Sequence, residues 1–417
     1  MRERFADRGE IARGGGGAVR RAFDRETERE VAVKYLDGDV GDEARAHFLA
    51  EARVMARLDH PGIVPLYEIG RDERGAPSHL LMKLVEGRTL EEAIAATASG
   101  PASADVLEPL LRALLRVCEA VSFAHGRGVI HRDLKPGNVM LGSHGQVYTM
   151  DWGLALLRDR SGDGAPRDAG APAPGVLHAH DICGTPAYMA PEQARGVLDE
   201  VDERSDVFGL GAILYEILTL QPPHHGRDLP TTLAAARRCR IPPPDQAAPA
   251  RSVPAGLVTI CSKALSAEPA SRHPSVDAFA RAVDDFLRGG GWFPVERFAA
   301  GALVLREGEL GDRAYVVVQG RCEVFRKLGR RTEVVRQIGP GQVVGEVALF
   351  APGPRIASVR ALTDMSAMVV TRAALDRELT RAPWMGSFLR EAAERYSEAE
   401  ALRERPARTG SPPARRR

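Results

Sequence analysis

The sequence predicts a multidomain chain, a mixed α+β domain followed by an all-β sandwich or barrel. Three observations carry that expectation. The 417 residues exceed one ordinary domain and suggest two or three of roughly 100–200 residues each. Up to about Arg288, strand-like runs alternate with helical periodicity. Beyond Gly289-Gly290-Gly291, which reads as a short flexible joint, β-branched runs recur between closely spaced glycines.

Composition sets outer bounds. At 44% hydrophobic and 27% charged residues the chain resembles a soluble globular protein able to bury a core. The formal net charge of +1 supplies no global field that would favour nucleic acid or a membrane surface. Cys118, Cys183, Cys239, Cys261 and Cys322 are scattered without C-x-x-C spacing, so neither a disulfide framework nor a zinc site is expected. Met1 to Phe5 lacks the apolar core of a signal peptide. Phe208 to Leu220 is apolar but interrupted by Glu216, and falls short of the ~20 residues that span a bilayer. It reads as a buried helix in a cytoplasmic protein.

Taken in order, Ile11 to Val19 carries four consecutive glycines between short strand-like pieces. Glycines there let backbone amides close over phosphate oxygens without a side chain intervening. Val31-Ala32-Val33-Lys34 alternates as a strand that delivers Lys34 to one face. Arg45 to Leu58 has helical periodicity with Phe48, Met55 and Leu58 near one face, and it carries Glu51. Leu80-Leu81-Met82 reads as a strand, and Leu107 to His125 as a strongly apolar helix. That helix leads to His131-Arg132-Asp133-Leu134-Lys135-Pro136-Gly137-Asn138. Asp133 can orient a hydroxyl and accept its proton, Lys135 can stabilise a transferring phosphoryl group, and Asn138 can hold a metal ion. Val147 to Met150 forms a short strand ahead of Asp151-Trp152-Gly153.

These segments, in this order, resemble the eukaryotic-type protein kinases in their bacterial serine/threonine branch. The loop matches H-R-D-L-x-x-x-N; Val31 to Lys34 matches V-A-I-K; Asp151 to Gly153 matches D-F-G with tryptophan in the middle. The glycine pattern fits with Gly14, Gly17 and Val19, while Ala12 replaces its first glycine. The resemblance implies Asp133 and Lys135 as catalytic residues. It implies ATP contacts from Ala12, Arg13, Gly14, Gly15, Gly16, Gly17, Val19, Lys34, Glu51, Met82 and Leu84. Glu51 would pair with Lys34, Met82 would be the gatekeeper, and Asn138 and Asp151 would bind Mg²⁺. Lys83 departs from a frequent glutamate, which should matter little where adenine is read by backbone groups. His131 should be a packed structural histidine.

Gly184 to Glu192, G-T-P-A-Y-M-A-P-E, closes the activation segment. Thr185 would line the substrate pocket and, with Lys135, favour Ser/Thr over Tyr. Glu192 would pair with Arg272, and Asp206 would brace the catalytic loop. Arg158 to Gly175 has a disorder-prone composition. Arg132 asks for an acidic group in this segment, yet Gly162 to Gly184 contains no Ser, Thr or Tyr. Asp181 is the expected stand-in, giving activity without phosphorylation there. His178, His180, His224 and His225 are expected to be solvated loop histidines.

From Phe298 to Thr371, Leu303 to Leu305, Tyr315 to Val318, Glu323 to Phe325 and Val334-Val335 read as short strands. Val344 to Phe350 and Gly353 to Ser358 resemble the phosphate-binding cassette of the cyclic nucleotide-binding domains of catabolite-activator type. The resemblance implies ligand contacts from Gly345, Glu346, Ala348, Leu349, Arg355, Ala357 and Ser358. Arg355 would fork onto the cyclic phosphate and Glu346 would accept the ribose hydroxyl. Ile356 is not the threonine that accompanies cGMP in that family, which favours cAMP.

The resulting expectation is an α+β bilobal protein kinase fold followed by a β jelly-roll barrel with flanking helices. Residues 1–288 would form the kinase domain, with lobes 1–83 and 84–288, and 289–292 the linker. Residues 293–405 would form the nucleotide domain with helices from Ala373, and 406–417 a disordered basic tail in which Thr409 and Ser411 are candidate autophosphorylation sites. The function would be ATP-dependent phosphorylation of protein Ser/Thr hydroxyls, regulated in cis by a cyclic nucleotide. The alternatives are a non-catalytic nucleotide-binding scaffold, or a kinase whose barrel is a ligand-free docking module. Protein substrates and a cyclic nucleotide are the expected partners, with no nucleic acid or membrane and with a homodimer left open.

Overall fold

A computed structural model describes residues 4–14, 17–36, 41–72, 75–98, 100–158, 184–288, 293, 295–328, 331–350, 353–372 and 375. The expectations for Gly15, Gly16, His178, His180, Asp181, the joint at 289–292, the helices beyond Ala373 and the basic tail fall outside them. The chain forms two compact units, residues 1–291 and 292–417.

The first unit opens with a small lobe. Strands β1 (Phe5–Gly14), β2 (Gly17–Asp24) and β3 (Arg29–Tyr35), helix α1 (Asp42–Arg57), and strands β4 (Leu66–Arg71) and β5 (Pro77–Lys83) follow in order. The strands make one antiparallel sheet in the order β1-β2-β3-β5-β4. Val31, Ala32 and Val33 are buried in succession, so β3 is covered on both faces, with Val31 and Val33 packed with Ala22 and Leu81. Helix α1 begins at Asp42 rather than Arg45 and packs Phe48 and Ala52 on Leu80.

The large lobe contains β6 (Gly87–Thr89), α2 (Leu90–Ala95), α3 (Ala104–Gly126), β7 (Val129–Ile130), β8 (Val139–Gly142), β9 (Val147–Thr149) and β10 (Leu156–Leu157). Helices α4 (Pro191–Arg195), α5 (Glu203–Thr219), α6 (Leu229–Arg238), α7 (Pro244–Ala247), α8 (Ala255–Ala264) and α9 (Val276–Arg288) complete it. Every residue of α5 from Ser205 to Thr219 is buried, the mark of a helix running through a core. Gly209 lets it approach the catalytic loop, because a Cβ there would lie 2.9 Å from that of Leu134. No helix among the described residues is long and apolar enough to cross a membrane.

The second unit contains β11 (Val295–Phe298), β12 (Leu303–Leu305), β13 (Arg313–Gln319), β14 (Cys322–Leu328), β15 (Arg331–Ile338), β16 (Val343–Val344), the one-turn helix α10 (Val347–Phe350), β17 (Ser358–Ala361) and β18 (Met365–Thr371). Among the described residues these make two four-stranded antiparallel sheets, β11-β18-β13-β16 and β12-β17-β14-β15. Alternate residues Met365, Ala367 and Val369 of β18 join Tyr315, Val317, Ile338 and Val359 in one core. This is the barrel-like sandwich the short strands predict, and it starts at Val295, ahead of Phe298.

His224 corrects one expectation. It is not solvated: it is 2% exposed, stacks on Phe208, and faces the Met189 carbonyl through Nε2 at 3.2 Å. Burial pushes its imidazole down to about 4. His225 beside it is exposed.

Candidate functional site

The catalytic loop is fixed from below by α5. Asp206 accepts from the backbone N–H groups of His131 at 2.8 Å and Arg132 at 2.9 Å, and lies 2.7 Å from His125 Nε2. Burial works to raise the Asp206 carboxyl, but the His125 bond and the nearby charges outweigh it and hold it below the usual range. His131 is fully buried, and its Nδ1 accepts from the Asp133 N–H at 3.2 Å. The proton therefore sits on Nε2, which faces the Met150 carbonyl at 3.1 Å. Both ring nitrogens of His131 thus face backbone groups. Arg132 and Asp151 both take left-handed backbone conformations, φ 67° and 59°, which non-glycine residues hold only where neighbours over-determine them. For Arg132 those neighbours are Asp206, Gln193, which donates to its carbonyl at 2.8 Å, and the Leu154 carbonyl, which takes its Nε at 2.6 Å.

Above this frame each carboxylate oxygen of Asp133 accepts two bonds. Oδ1 takes the Thr185 N–H and hydroxyl, both at 2.8 Å; Oδ2 takes Lys135 Nζ at 2.8 Å and Asn138 Nδ2 at 3.1 Å. Lys135 also donates to the Thr185 hydroxyl at 2.7 Å. Thr185 thus reaches Asp133 across 52 positions of sequence, where the motif placed it. Glu192 and Arg272 form a doubly bonded, fully buried pair at 2.7 and 2.8 Å that anchors the end of the segment.

Lys34 and Glu51 meet at 2.7 and 2.8 Å, with Asp151 4.0 Å from the same ammonium. Burial raises the Glu51 carboxyl, and Lys34 opposes that rise. Trp152, 1% exposed, packs with Val54 and Met55 of α1 and with Leu58 just beyond its end, so the tryptophan locks the helix bearing Glu51 over Asp151. Gly153 leaves room for both acids, since a Cβ there would lie 3.3 Å from Glu51 and 3.4 Å from Asp151. In the glycine hairpin Gly14 pairs with Gly17 and Ala12 with Val19. Gly17 has φ +115°, and a Cβ there would fall 1.9 Å from the Tyr35 carbonyl, so only glycine fits. Ala12 pairs with Val19 just past a shift in the strand register, and its φ is not positive, so alanine is tolerated there. Met82 ends up between two apolar clusters, and Leu84 follows β5 directly.

In the barrel, Arg355 is pinned by its backbone: its N–H donates to Glu309 at 2.8 Å and its carbonyl accepts from Gly308 at 2.8 Å. Its Nη2 donates to the Arg313 carbonyl at 2.9 Å, while Nη1 is buried with no hydrogen-bond partner among the described residues. Burial depresses this guanidinium. Gly345, φ +79°, makes space for it, because a Cβ would sit 2.7 Å from Nη1. Glu346 and the backbone at Ala348 lie at the start of α10, and Leu349 is buried beneath. Ala357 precedes the buried Ser358, whose hydroxyl accepts from the Glu307 N–H at 2.9 Å. Ser358 is thereby engaged within the barrel wall.

Sequence reasoning missed His125, Gln193 and the Lys83–Tyr148 bond of 2.5 Å. Each contact spans more than sixty positions, and no local pattern announces it.

A bilobal unit with a strand lysine paired to a helix glutamate above an Asp133 network has the plan of a protein kinase. The protein kinase domain family model matches residues 5–282, and the chain belongs to that family. The cyclic nucleotide-binding domain model matches residues 295–382. Serine/threonine-protein kinase PknD of Protochlamydia amoebophila (strain UWE25) is 34% identical over 297 residues, which cover 68% of this chain and 30% of that protein. PknD of Chlamydia caviae is 34% identical over 298 residues (68% and 31%), and that of Chlamydia felis 33% over 298 (68% and 31%). The chain spans less than a third of the length of these curated relatives.

Proposed function

We propose that the protein transfers the γ-phosphoryl group of ATP to serine and threonine hydroxyls of other proteins, under control of a cyclic nucleotide held in its barrel. The observation that carries the first half is the Asp133–Lys135–Thr185–Asn138 network. A substrate hydroxyl that replaces the Thr185 hydroxyl at Asp133 Oδ1 would be oriented for attack and give its proton to the carboxylate. The new O–P bond forms as the β–γ bridging bond breaks and ADP leaves. Lys135 offsets negative charge on the moving group, and Lys34, held by Glu51, positions the phosphates behind it.

The donor set fits Mg²⁺. Asn138 spends its Nδ2 on Asp133 while its amide oxygen takes no hydrogen bond from the described residues, and the Asp151 side chain is half exposed. Both are hard oxygen donors. Bound there with nucleotide phosphates, Mg²⁺ would neutralise charge on the transferring group.

The barrel reading is supported by the buried, unpartnered Nη1 of Arg355. A guanidinium N–H without an acceptor is costly, and an anionic cyclic phosphate would satisfy it. We favour cAMP, because Ile356 offers no hydroxyl to a guanine base. Coupling of ~1–3 kcal/mol between barrel and active site would change activity roughly 5- to 150-fold.

The test is radiolabel transfer from ATP to a generic basic protein by the full chain, with and without cAMP or cGMP. Label on Ser and Thr, lost in Asp151→Ala, is expected; equal labelling by that variant would refute transfer. Calorimetry showing that neither nucleotide binds would refute the sensor.

A further inference from the structure

Lys83 ends β5, between Met82 and Leu84, and a basic residue there looks inconsequential in the sequence. In the structure its ammonium donates to the Tyr148 hydroxyl at 2.5 Å, and it enters no salt bridge among the described residues. Both ends of this bond are anchored. The Lys83 N–H donates to the Pro65 carbonyl at 3.1 Å, and the residue pairs with Val31 on the strand that carries Lys34. Tyr148 is 5% exposed and pairs with Met140 across β8 and β9. That hairpin carries the metal candidates at its two ends: Asn138 immediately precedes β8, and Asp151 follows β9 by two positions. The Met150 N–H closes it onto the Asn138 carbonyl at 2.9 Å.

We infer that the Lys83–Tyr148 bond is a positioning contact that sets the distance between the end of β5 at Met82 to Leu84, the hinge whose backbone would read the adenine, and the hairpin bearing Asn138 and Asp151. The inference rests on the ATP reading of this site. A nucleotide bound to the hinge through its base meets the metal ligands only if that spacing is right. Lys83 therefore acts through other residues, not on the reacting atoms. Its contact coexists with the closed Lys34–Glu51 pair, so it belongs to the assembled arrangement.

This makes a signature that general loosening would not give. Loss of the contact should weaken ligands that span hinge and metal, and spare ligands that touch the hinge alone. The experiment is calorimetric binding to the full chain of a non-hydrolysable ATP analogue with Mg²⁺, beside adenosine, for Lys83→Met, Tyr148→Phe and the double variant. Each single change should weaken the analogue about five- to tenfold, the upper part of the range of an ordinary hydrogen bond. Adenosine should stay within about twofold, and the double variant should be no worse than either single one. Lys83→Arg should restore most of the affinity. Equal weakening of adenosine and the analogue, additive effects in the double variant, or unchanged analogue binding would each overturn the inference. Binding is readable without turnover, so a wild-type chain that binds the analogue yet transfers no phosphate would refute transfer while leaving this outcome intact.

Discussion

The two candidate sites differ in how complete they are without a ligand. At Asp133 both carboxylate oxygens are doubly bonded, and the groups that bond them also bond one another. At Arg355 the backbone is equally well held, but one guanidinium nitrogen is buried and has no acceptor among the described residues. A preassembled network suits a site that must orient a transient charge, because no reorganisation is left for the moment of reaction. An unsatisfied cation suits a site whose task is to respond to an anion, because the ligand removes a cost that the empty state bears. On the proposed reading, one unit therefore carries a site assembled in advance and the other a site that its ligand completes.

The largest effect should come from breaking the complete site. Asp133→Asn keeps the size and much of the bonding capacity of the side chain but cannot accept the hydroxyl proton. Transfer should fall by about 10²–10⁴-fold, the usual worth of a general base, with ATP-analogue affinity nearly unchanged. A loss below about tenfold in steady-state labelling would mean that Asp133 only braces Thr185.

Arg355→Met tests the incomplete site, with opposite signs for function and stability. Cyclic nucleotide affinity should drop about a hundredfold, as expected when one partner of a buried charge-assisted contact is truncated. The ligand-free barrel should gain stability, by about 1 kcal/mol, because a desolvated N–H without an acceptor is removed. Calorimetry gives the first number and denaturant unfolding the second. A barrel destabilised by the change would show that Arg355 is an architectural residue whose Nη2 bond to Arg313 matters more than its free nitrogen.

What the sequence made legible follows from how each site is written in it. The phosphate-transfer groups lie in short contiguous runs, His131 to Asn138, Asp151 to Gly153 and Gly184 to Glu192, so the resemblance to the kinase motifs could assign them to one site. The barrel strands were legible through alternation of residues such as Met365, Ala367 and Val369. Contacts made by one residue across the fold left no such trace. Lys83 meets Tyr148 65 positions away, and Gln193 holds the Arg132 carbonyl 61 positions away; only the packed structure selects those pairs. Pro222-Pro223-His224-His225-Gly226 has loop composition and reads as solvated. Yet the His224 N–H donates to the Ala187 carbonyl at 3.2 Å and its ring turns inward onto Phe208.

That inward turn gives the smallest of the three effects and a pH signature confined to the kinase unit. The folded-state value of His224 lies at about 4 against an ordinary 6.5; burial is the main cause, the Met189 carbonyl opposes it, and exposed His225 adds to it. Between those values the unfolded chain binds the proton and the folded one does not. Stability is therefore unaffected above 6.5, falls as pH drops from 6.5 towards 4, and loses nothing more from this group below 4. By pH 5 the loss should be about 2 kcal/mol. The kinase transition can be identified in a calorimetric scan of the full chain as the one raised by Mg²⁺ and an ATP analogue. Between pH 7 and pH 5 that transition should fall further in the wild type than in His224→Gln, which cannot titrate. The transition not raised by the analogue should shift equally in both proteins. Parallel pH profiles for the kinase transition would show that His224 opens to solvent at little cost.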